Sequence, residues 1–388
     1  MRARGTESVR RRRVLVAHSS SELYGSDRVL LESVQGLIEE GWQVLVVLPG
    51  PGPLVAEVLD RGGQVVLCPS PVLRKSALRP IGFLRLTAQV LPAVVSGLWL
   101  LLRARPDVIY VNTVMVPLWL LLGRLTGSRT LCHVHEAEGS ASRLLRRLVA
   151  LPLFAAHTIV ANSDFSRQVL SSAFESLGTR TTVVYNGVPG PPTPTTSHAR
   201  IDGAVQLLYV GRLSERKGVD VAVSAVAELL ERGTPAELDI VGSTFSGYEW
   251  YEAQLVKQVN SLGLNRHVRL CGFEHPVWPR LAAAHIALVP SRLDEPFGNT
   301  AVEAVLAGRP VIASDTSGLR EAVAGFKSAI RVPPGDAGAI ADAVECMLTQ
   351  WSDYHRFALS DAVDATRRFA PHGYRVRMVS SLTRTLAS

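Results

Sequence analysis

The chain has 388 residues, 47% of them apolar and 19% charged, with four cysteines and a formal net charge of +7. That length exceeds one ordinary hydrophobic core and predicts two domains, while the composition excludes a disordered chain and a multi-span membrane protein. Cys68, Cys132, Cys271 and Cys346 show no CxxC spacing and read as buried free thiols in a reducing compartment.

The charge is uneven. Residues 1–200 hold 22 Lys/Arg against 13 Asp/Glu, and residues 201–388 hold 19 against 21. Six arginines fall in the first thirteen residues, which read as a basic flexible tail. An excess of this kind favours an anionic partner, either a membrane surface or a phosphorylated substrate. Nucleic acid is set aside because no zinc spacing, RNP-like motif or helix-turn-helix signal accompanies the charge. The apolar run after Arg13 is too short for a signal peptide, so a cytoplasmic location is expected.

From residue 14 onward short apolar strands alternate with helical patterns. The strands are predicted at 14–18, 44–49, 65–69, 108–112, 131–135, 159–163 and 183–187, a parallel-sheet rhythm. After the first strand the sequence HSSSELYGSDR lacks the GxGxxG of a dinucleotide site. It keeps one glycine turn, Tyr24-Gly25-Ser26-Asp27, through which a backbone can approach an anion or a sugar. Leu86 to Leu102 is free of charge, but as a helix it would span roughly 26 Å against a hydrocarbon core of about 30 Å. With Arg74, Lys75, Arg79, Arg85, Arg103 and Arg105 around it, it fits either a buried crossover helix or a helix at a membrane interface.

His133 and His135 share one face at the end of a strand. No third ligand has suitable spacing and no Asp-x-Asp occurs, so a hydrogen-bonding role in the cleft is favoured over metal. The Pro-, Ser- and Thr-rich stretch over 189–204 reads as a linker. The alternation then resumes with strands at 207–211, 238–242, 268–272, 286–290 and 310–314, and a helical tail from about residue 352 closes the chain.

Two stretches carry chemistry in this second half. GRLSERKG at 211–218 sets Arg212 and Lys217 beside a helix start, where an anion such as a diphosphate would relieve the conflict between cation and dipole. In SRLDEPFGNTAVEAVLAGRP at 291–310, Glu295 and Glu303 flank a turn that leads into a helix. Thr300 to Glu303 also fits a capping box, and Glu295 also fits a solvated loop acid.

Taken in order, these elements resemble the retaining GT-B glycosyltransferases of family 4 over nearly the whole chain. The E-x7-E element appears as Glu295 to Glu303, the diphosphate segment as 211–218, the pre-linker turn as VVYNGV at 183–188, the His-acid pair as His135 and Glu136, and the strand-helix junction as Ala161 to Ser163 with Arg167. The resemblance implies a doubly wound α/β fold with an acceptor-binding domain over 14–188, a nucleotide-sugar domain over 205–370, and a helix over 371–388 that packs back on the first domain. It also implies a nucleotide-diphosphate sugar as donor, with no metal required. Arg212 and Lys217 would hold the diphosphate, Glu303 the ribose, Glu295 the donor sugar, and His135 the sugar near the reacting centre. Gly25, Gly211 and the backbone of Phe297, Gly298, Asn299 and Thr300 would complete the donor pocket, with Gly242, Ser243 and Phe273 lining the base. Ser26, Asp27, Arg28 and Arg167 are the expected acceptor contacts. The acceptor would be a saccharide or a lipid-linked saccharide in envelope or exopolysaccharide synthesis, with an anionic membrane surface as partner and the protein peripheral at its inner face. The alternatives are a GT-B sugar-nucleotide epimerase and a nucleotide-sugar-binding protein without turnover.

Overall fold

A computed structural model describes residues 11–73, 80–192, 199–245 and 247–387, with the side chains of 80–86 outside the description. Residues 1–10 of the expected basic tail, 74–79 of the basic stretch before the apolar helix, and 193–198 of the expected linker lie outside the described residues.

The chain builds two parallel sheets. The first has the order β3-β2-β1-β4-β5-β6-β7, from β1 (Arg13–Ala17), β2 (Gln43–Leu48), β3 (Gln64–Leu67), β4 (Val108–Val111), β5 (Arg129–Val134), β6 (Thr158–Ala161) and β7 (Thr181–Val183). The second has the order β10-β9-β8-β11-β12-β13, from β8 (Val205–Val210), β9 (Ala236–Val241), β10 (Val268–Gly272), β11 (Ile286–Val289), β12 (Val311–Ser314) and β13 (Ala329–Val332). Strands such as Val108-Ile-Tyr-Val and Ile286-Ala-Leu-Val are buried at every position, as helices on both faces require. Eleven of these strands coincide with predicted runs, and β7 meets the run expected at 183–187 only at Val183, the rest of that run being the turn after the strand. The thirteenth, β13, was not predicted: it is a four-residue edge strand carrying an exposed Arg331, too short and too polar to show an apolar run. Of the cysteines, Cys68 and Cys132 are buried as expected, whereas Cys271 is half-buried and Cys346 exposed.

In each sheet the strand order reverses beside its first strand, β1 or β8, so both sheets open a crevice at the carboxyl ends of their strands. On one face of the first sheet lie α1 (Gly25–Glu39) and α2 (Pro53–Asp60); on the other run α3 (Pro80–Ala104), α4 (Leu118–Thr126), α5 (Arg143–Ala150) and α6 (Asp164–Ala173). The short α7 (Glu175–Arg180) packs on α6 in this first domain. The second domain carries α8 (Val219–Glu231), α11 (Asn299–Leu306) and α12 (Ser317–Ala322) beside its site, with α9 (Glu249–Ser261), α10 (Trp278–Ala283), α13 (Ala337–Thr349) and α14 (Trp351–Arg368) completing the layers.

The last helix, α15 (Pro371–Ala387), crosses back to the first domain and packs on α1. Its Tyr374, Met378 and Leu382 enter the core beneath α1, each contributing about 1.5–3 kcal/mol by burial. The Tyr374 and Ser33 hydroxyls hydrogen-bond at 2.6 Å. Arg375 meets Glu39 at 2.7 Å and Glu32 at 3.4 Å.

Candidate active site

Between the two sheets lies a cavity of about 770 Å³ lined from both domains. Glycine shapes its floor in the second domain. At the end of β9, Gly242 has φ +147°, and a Cβ there would stand 1.8 Å from the Gly211 carbonyl oxygen. At the start of α8, Gly218 has φ +65°, and a Cβ would stand 2.0 Å from the Pro290 carbonyl oxygen. No other residue fits such contacts.

These tight turns deliver an ionic cluster. Glu295 is 4% exposed, and its Oε1 lies 2.8 Å from Lys217 Nζ and 3.0 Å from Arg216 Nη1, and accepts from Ser291 Oγ at 3.0 Å. Burial pushes the Glu295 carboxyl up, but Lys217 and Arg216 outweigh it and hold the group below the usual carboxylate range. Burial in turn lowers the Lys217 ammonium despite its partner. The solvated-acid reading of Glu295 is therefore excluded.

Arg212 is not the neighbour of Lys217 that the sequence led us to expect. Its guanidinium is sandwiched between Tyr24 of the first domain and Phe245 of the second, 4.1 Å and 3.1 Å from the ring centroids. Its Nε is buried without a hydrogen-bond partner, and burial lowers its pKa to about 10. The second cation beside Lys217 is Arg216.

Gly298 caps α11, so the Thr300 to Glu303 capping box does not form. Glu303 is 3% exposed, and its Oε1 pairs across the cleft with Arg28 Nη2 at 2.6 Å, while its Oε2 is buried without a partner. Such an orphaned acceptor costs about 1–3 kcal/mol and suits a hydroxyl donor. Asn299 bridges the domains by donating to the Gly25 carbonyl at 3.3 Å and accepting from Asn186 at 2.8 Å. The Tyr24 hydroxyl meets Ser243 Oγ at 2.9 Å.

Apart from Arg28 and Glu138, the first domain meets the cavity with hydrogen-bonded groups. Asp27 Oδ1 only accepts, so His18 Nε2 carries the proton at 2.6 Å. His18 Nδ1 then accepts from Asn112 Nδ2 at 3.2 Å. Asn112 Oδ1 accepts from the Tyr110 hydroxyl at 2.5 Å and from His135 Nε2 at 3.0 Å. The chain leaves His135 in one tautomer, with its lone pair on Nδ1. Burial, with His133 and His18 nearby, holds His135 well below the ordinary histidine range. His133 donates from Nδ1 to the Tyr110 oxygen at 3.0 Å, its Nε2 is buried without a partner, and burial lowers its pKa to about 3. Glu136 turns away: Thr113 and the Val114 amide occupy its carboxylate. Among the described residues no group of three or more His, Cys, Asp and Glu is arranged to hold a metal ion.

Of the residues expected in the site, Gly25, Ser26, Arg28, His135, Gly211, Arg212, Lys217, Gly242, Phe273, Glu295, Phe297, Gly298, Asn299 and Thr300 line the cavity. Ser243 and Glu303 adjoin it through Tyr24 and Arg28. Asp27 and Arg167 do not line it, and for Asp27 burial corrects the expected acceptor role. Asp27 is 1% exposed, and its two oxygens are taken by His18 and by the Tyr24 amide at the start of α1. Arg167 is paired with Asp164 on α6 at 2.5 Å. Sequence reasoning missed Tyr24, Arg216, His18 and Asn112. The signal for the last two was present in the strand-end polar residues of VLVAH and VIYVN.

Comparisons with known proteins agree with this architecture. Residues 24–189 match the family described as Glycosyltransferase Family 4, and residues 196–360 match Glycosyl transferases group 1. A D-inositol 3-phosphate glycosyltransferase of Nocardioides sp. is 29% identical over 373 residues, covering 88% of this chain and 77% of its own. A glycogen synthase of Mycobacterium tuberculosis is 28% identical over 218 residues, 56% of this chain, and the chain spans about half, 51%, of that protein. Among solved structures, Anabaena Alr3699/HepE in complex with UDP-glucose superposes with a TM-score of 0.81 at 21% identity, over 96% of this chain and 99% of its own. Sucrose-phosphate synthase from Thermosynechococcus elongatus superposes with a TM-score of 0.75 at 20% identity, over 97% and 100%. Two matching family descriptions in tandem, on a pair of Rossmann-like domains facing each other across this cleft, place the chain among the GT-B glycosyltransferases of family 4.

Proposed function

We propose that the protein is a retaining, metal-independent glycosyltransferase that moves a sugar from a nucleotide-diphosphate donor to a saccharide or lipid-linked acceptor in envelope or exopolysaccharide synthesis. The observation that carries this reading is the buried Glu295–Lys217–Arg216 cluster beside the stacked Arg212. Departure of a diphosphate builds negative charge, and cations already fixed by the protein stabilise that charge without reorganising. Lys217 and Arg212 would take this role in place of a metal, with Arg212 Nε as a free donor. Glu295, held ionised, orients Lys217 and faces the donor sugar. The orphaned Glu303 Oε2 accepts from the ribose, and His135 accepts from a sugar hydroxyl through Nδ1. The UDP-glucose bound by the Anabaena neighbour supports a nucleotide sugar as donor. The acceptor enters from the first domain, where Ser26 and Arg28 line the cavity.

The test is release of nucleoside diphosphate from a panel of nucleotide sugars, with and without lipid extract. Acceptor-dependent release with one donor is expected. Consumption of the donor without acceptor, yielding an epimeric nucleotide sugar, would instead identify an epimerase.

A further inference from the structure

Among the described residues, nothing covers the outer sides of three helices of the first domain. α3 packs on α4, and α4 packs on the 3-10 turn Leu151–Ala155 that continues α5, so their outward sides form one surface. On α3, Leu91, Val95, Trp99 and Leu102 form a single exposed stripe at helical spacing. Leu121 and Leu125 extend it on α4, and Leu144, Leu148, Leu151 and Phe154 along α5 and its turn. Leu91, Leu125 and Leu144 are 71%, 75% and 69% exposed. An apolar surface of this extent marks an interaction site.

The charge on this face has one sign. Residues 87–155 contain seven arginines and three acids, and each acid has a contact elsewhere. Glu136 is occupied by Thr113 and the Val114 amide, Glu138 lines the cleft, and Asp107 accepts from the Arg13 amide. Four of the arginines meet neutral partners: Arg124 faces His157, Arg146 donates to Ser172, Arg147 donates to the Ala173 carbonyl, and Arg103 stacks on Trp99. Burial, with Arg124, Arg129 and Arg180 nearby, holds His157 below the ordinary histidine range.

We infer that the α3–α4–α5 face of the first domain docks on an anionic phospholipid bilayer and holds the cleft open to a lipid-linked acceptor. Apolar side chains among arginines are what an interfacial helix needs to enter the headgroup region of such a bilayer. A second copy of the chain is disfavoured, because a two-fold contact would set these arginines against themselves. Nor does α3 span the bilayer. Its inner side is locked into the fold, where a Cβ on Gly97 would stand 2.6 Å from Leu122 Cδ1 and 3.8 Å from Trp119, and Leu100 and Leu101 are buried. The face also reaches the cleft. Glu138 lines the cavity, the Ser140 amide donates to Asp294 of the second domain at 2.9 Å, and α5 begins at Arg143.

The lipid-linked acceptor rests on the function proposed above, whereas docking is measured without any donor. The full chain is floated with vesicles of phosphatidylcholine alone or mixed with phosphatidylglycerol. Binding is expected only to the mixed vesicles. It should fade as salt rises from about 0.1 M to about 1 M, shortening the screening length from about 10 Å to about 3 Å. Arg103→Glu with Arg143→Glu should weaken it more than about tenfold. Leu144→Ser with Leu148→Ser should weaken it at low and high salt alike, with circular dichroism unchanged. Equal binding to both vesicle types, no binding to either, or retention by all variants overturns the inference. So does a concentration-dependent dimer that the Leu144→Ser, Leu148→Ser chain loses, which would assign the face to a second copy. Failure of transfer with intact vesicle binding would instead count against the proposed function alone.

Discussion

The two walls of the cleft solve different electrostatic problems. The second domain offers charge: Glu295, Lys217 and Arg216 within 3.0 Å of one carboxylate oxygen, on turns only glycine can make. The first domain offers a hydrogen-bonded chain that is anchored on the Asp27 carboxylate and neutral toward the cleft, from His18 through Asn112 to His135, in which each proton is assigned by the next acceptor. Ions suit the side where a leaving group gathers charge. Uncharged, oriented dipoles suit the side where a sugar hydroxyl must be recognised without competing for the diphosphate. The ionic wall should therefore govern rate, and the neutral wall should govern positioning.

The sharpest way to break this comparison is Lys217→Met. It leaves the buried Glu295 with Arg216 alone, and losing one partner of a buried pair costs about 3–5 kcal/mol. If Lys217 also stabilises the departing diphosphate, kcat should fall by about 10²–10³, while the Kd for free nucleoside diphosphate changes far less. A weaker Kd with kcat unchanged would mean that the cluster only binds. Since stability falls as well, the measurement belongs at a temperature where circular dichroism shows the variant folded.

The Arg28–Glu303 pair joins the two walls and gives a sharper split. Glu303→Gln removes the charge that the orphaned Oε2 shares and should raise the donor Kd by about 10- to 100-fold, the weight of a hydrogen bond to a charged group. Arg28→Met leaves the buried Glu303 without its cross-cleft partner, so stability should fall by about 3–5 kcal/mol, but the donor Kd should stay within about threefold because Oε2, the atom offered to the ribose, is untouched. Titration calorimetry with nucleoside diphosphate reads both. A larger loss from Arg28→Met than from Glu303→Gln would move the ribose contact to the first domain.

The same division governs what could be read from the sequence. The ionic wall was legible because each strand, turn and helix start is contiguous, as in 211–218 and 291–310, so motif and geometry coincide. The neutral wall was not. His18, Asn112 and His135 end three strands far apart in the chain, and only the order β1-β4-β5 makes them neighbours. Asp27 was misread for a related reason: an acid in the first turn of a helix looks the same in sequence whether it caps the backbone or faces a ligand. Arg212 was correctly placed at the cleft but not its stacking, because Tyr24 belongs to the other domain. The exposed side of α3 was ambiguous because a single charge-free run does not reveal which face packs on α4.

The neutral wall makes a prediction about pH. In the folded protein His133 gains a proton only near about 3, and His135 well below its ordinary value, whereas unfolded histidine does so near about 6.5. Below that value the unfolded chain binds more protons, so stability falls as pH falls. The slope is up to about 1.4 kcal/mol per pH unit for each histidine and persists toward about pH 3 for His133. Urea midpoints between pH 7 and 5 should drop for the native chain, and more gently for His133→Phe. An unchanged slope in that variant would mean that other groups dominate the acid response.

The smallest effect distinguishes two glycines that look alike in the sequence, each following a strand and preceding site residues. A Cβ on Gly242 meets backbone 1.8 Å away, whereas a Cβ on Gly25 meets only Asn299 Nδ2 at 3.2 Å, the far end of a side chain that can turn aside. Gly25 is also the first residue of α1 and has no positive φ, so alanine suits its backbone and gains slightly in helix propensity. Gly25→Ala should therefore keep the melting temperature within a few degrees. By disturbing the Asn299 bridge at 3.3 Å, it should raise the donor KM by about two- to threefold, the weight of one modest hydrogen bond. If KM instead rises a hundredfold, the backbone at Gly25 itself touches the donor, and the neutral wall takes part in binding the phosphates as well as the sugar.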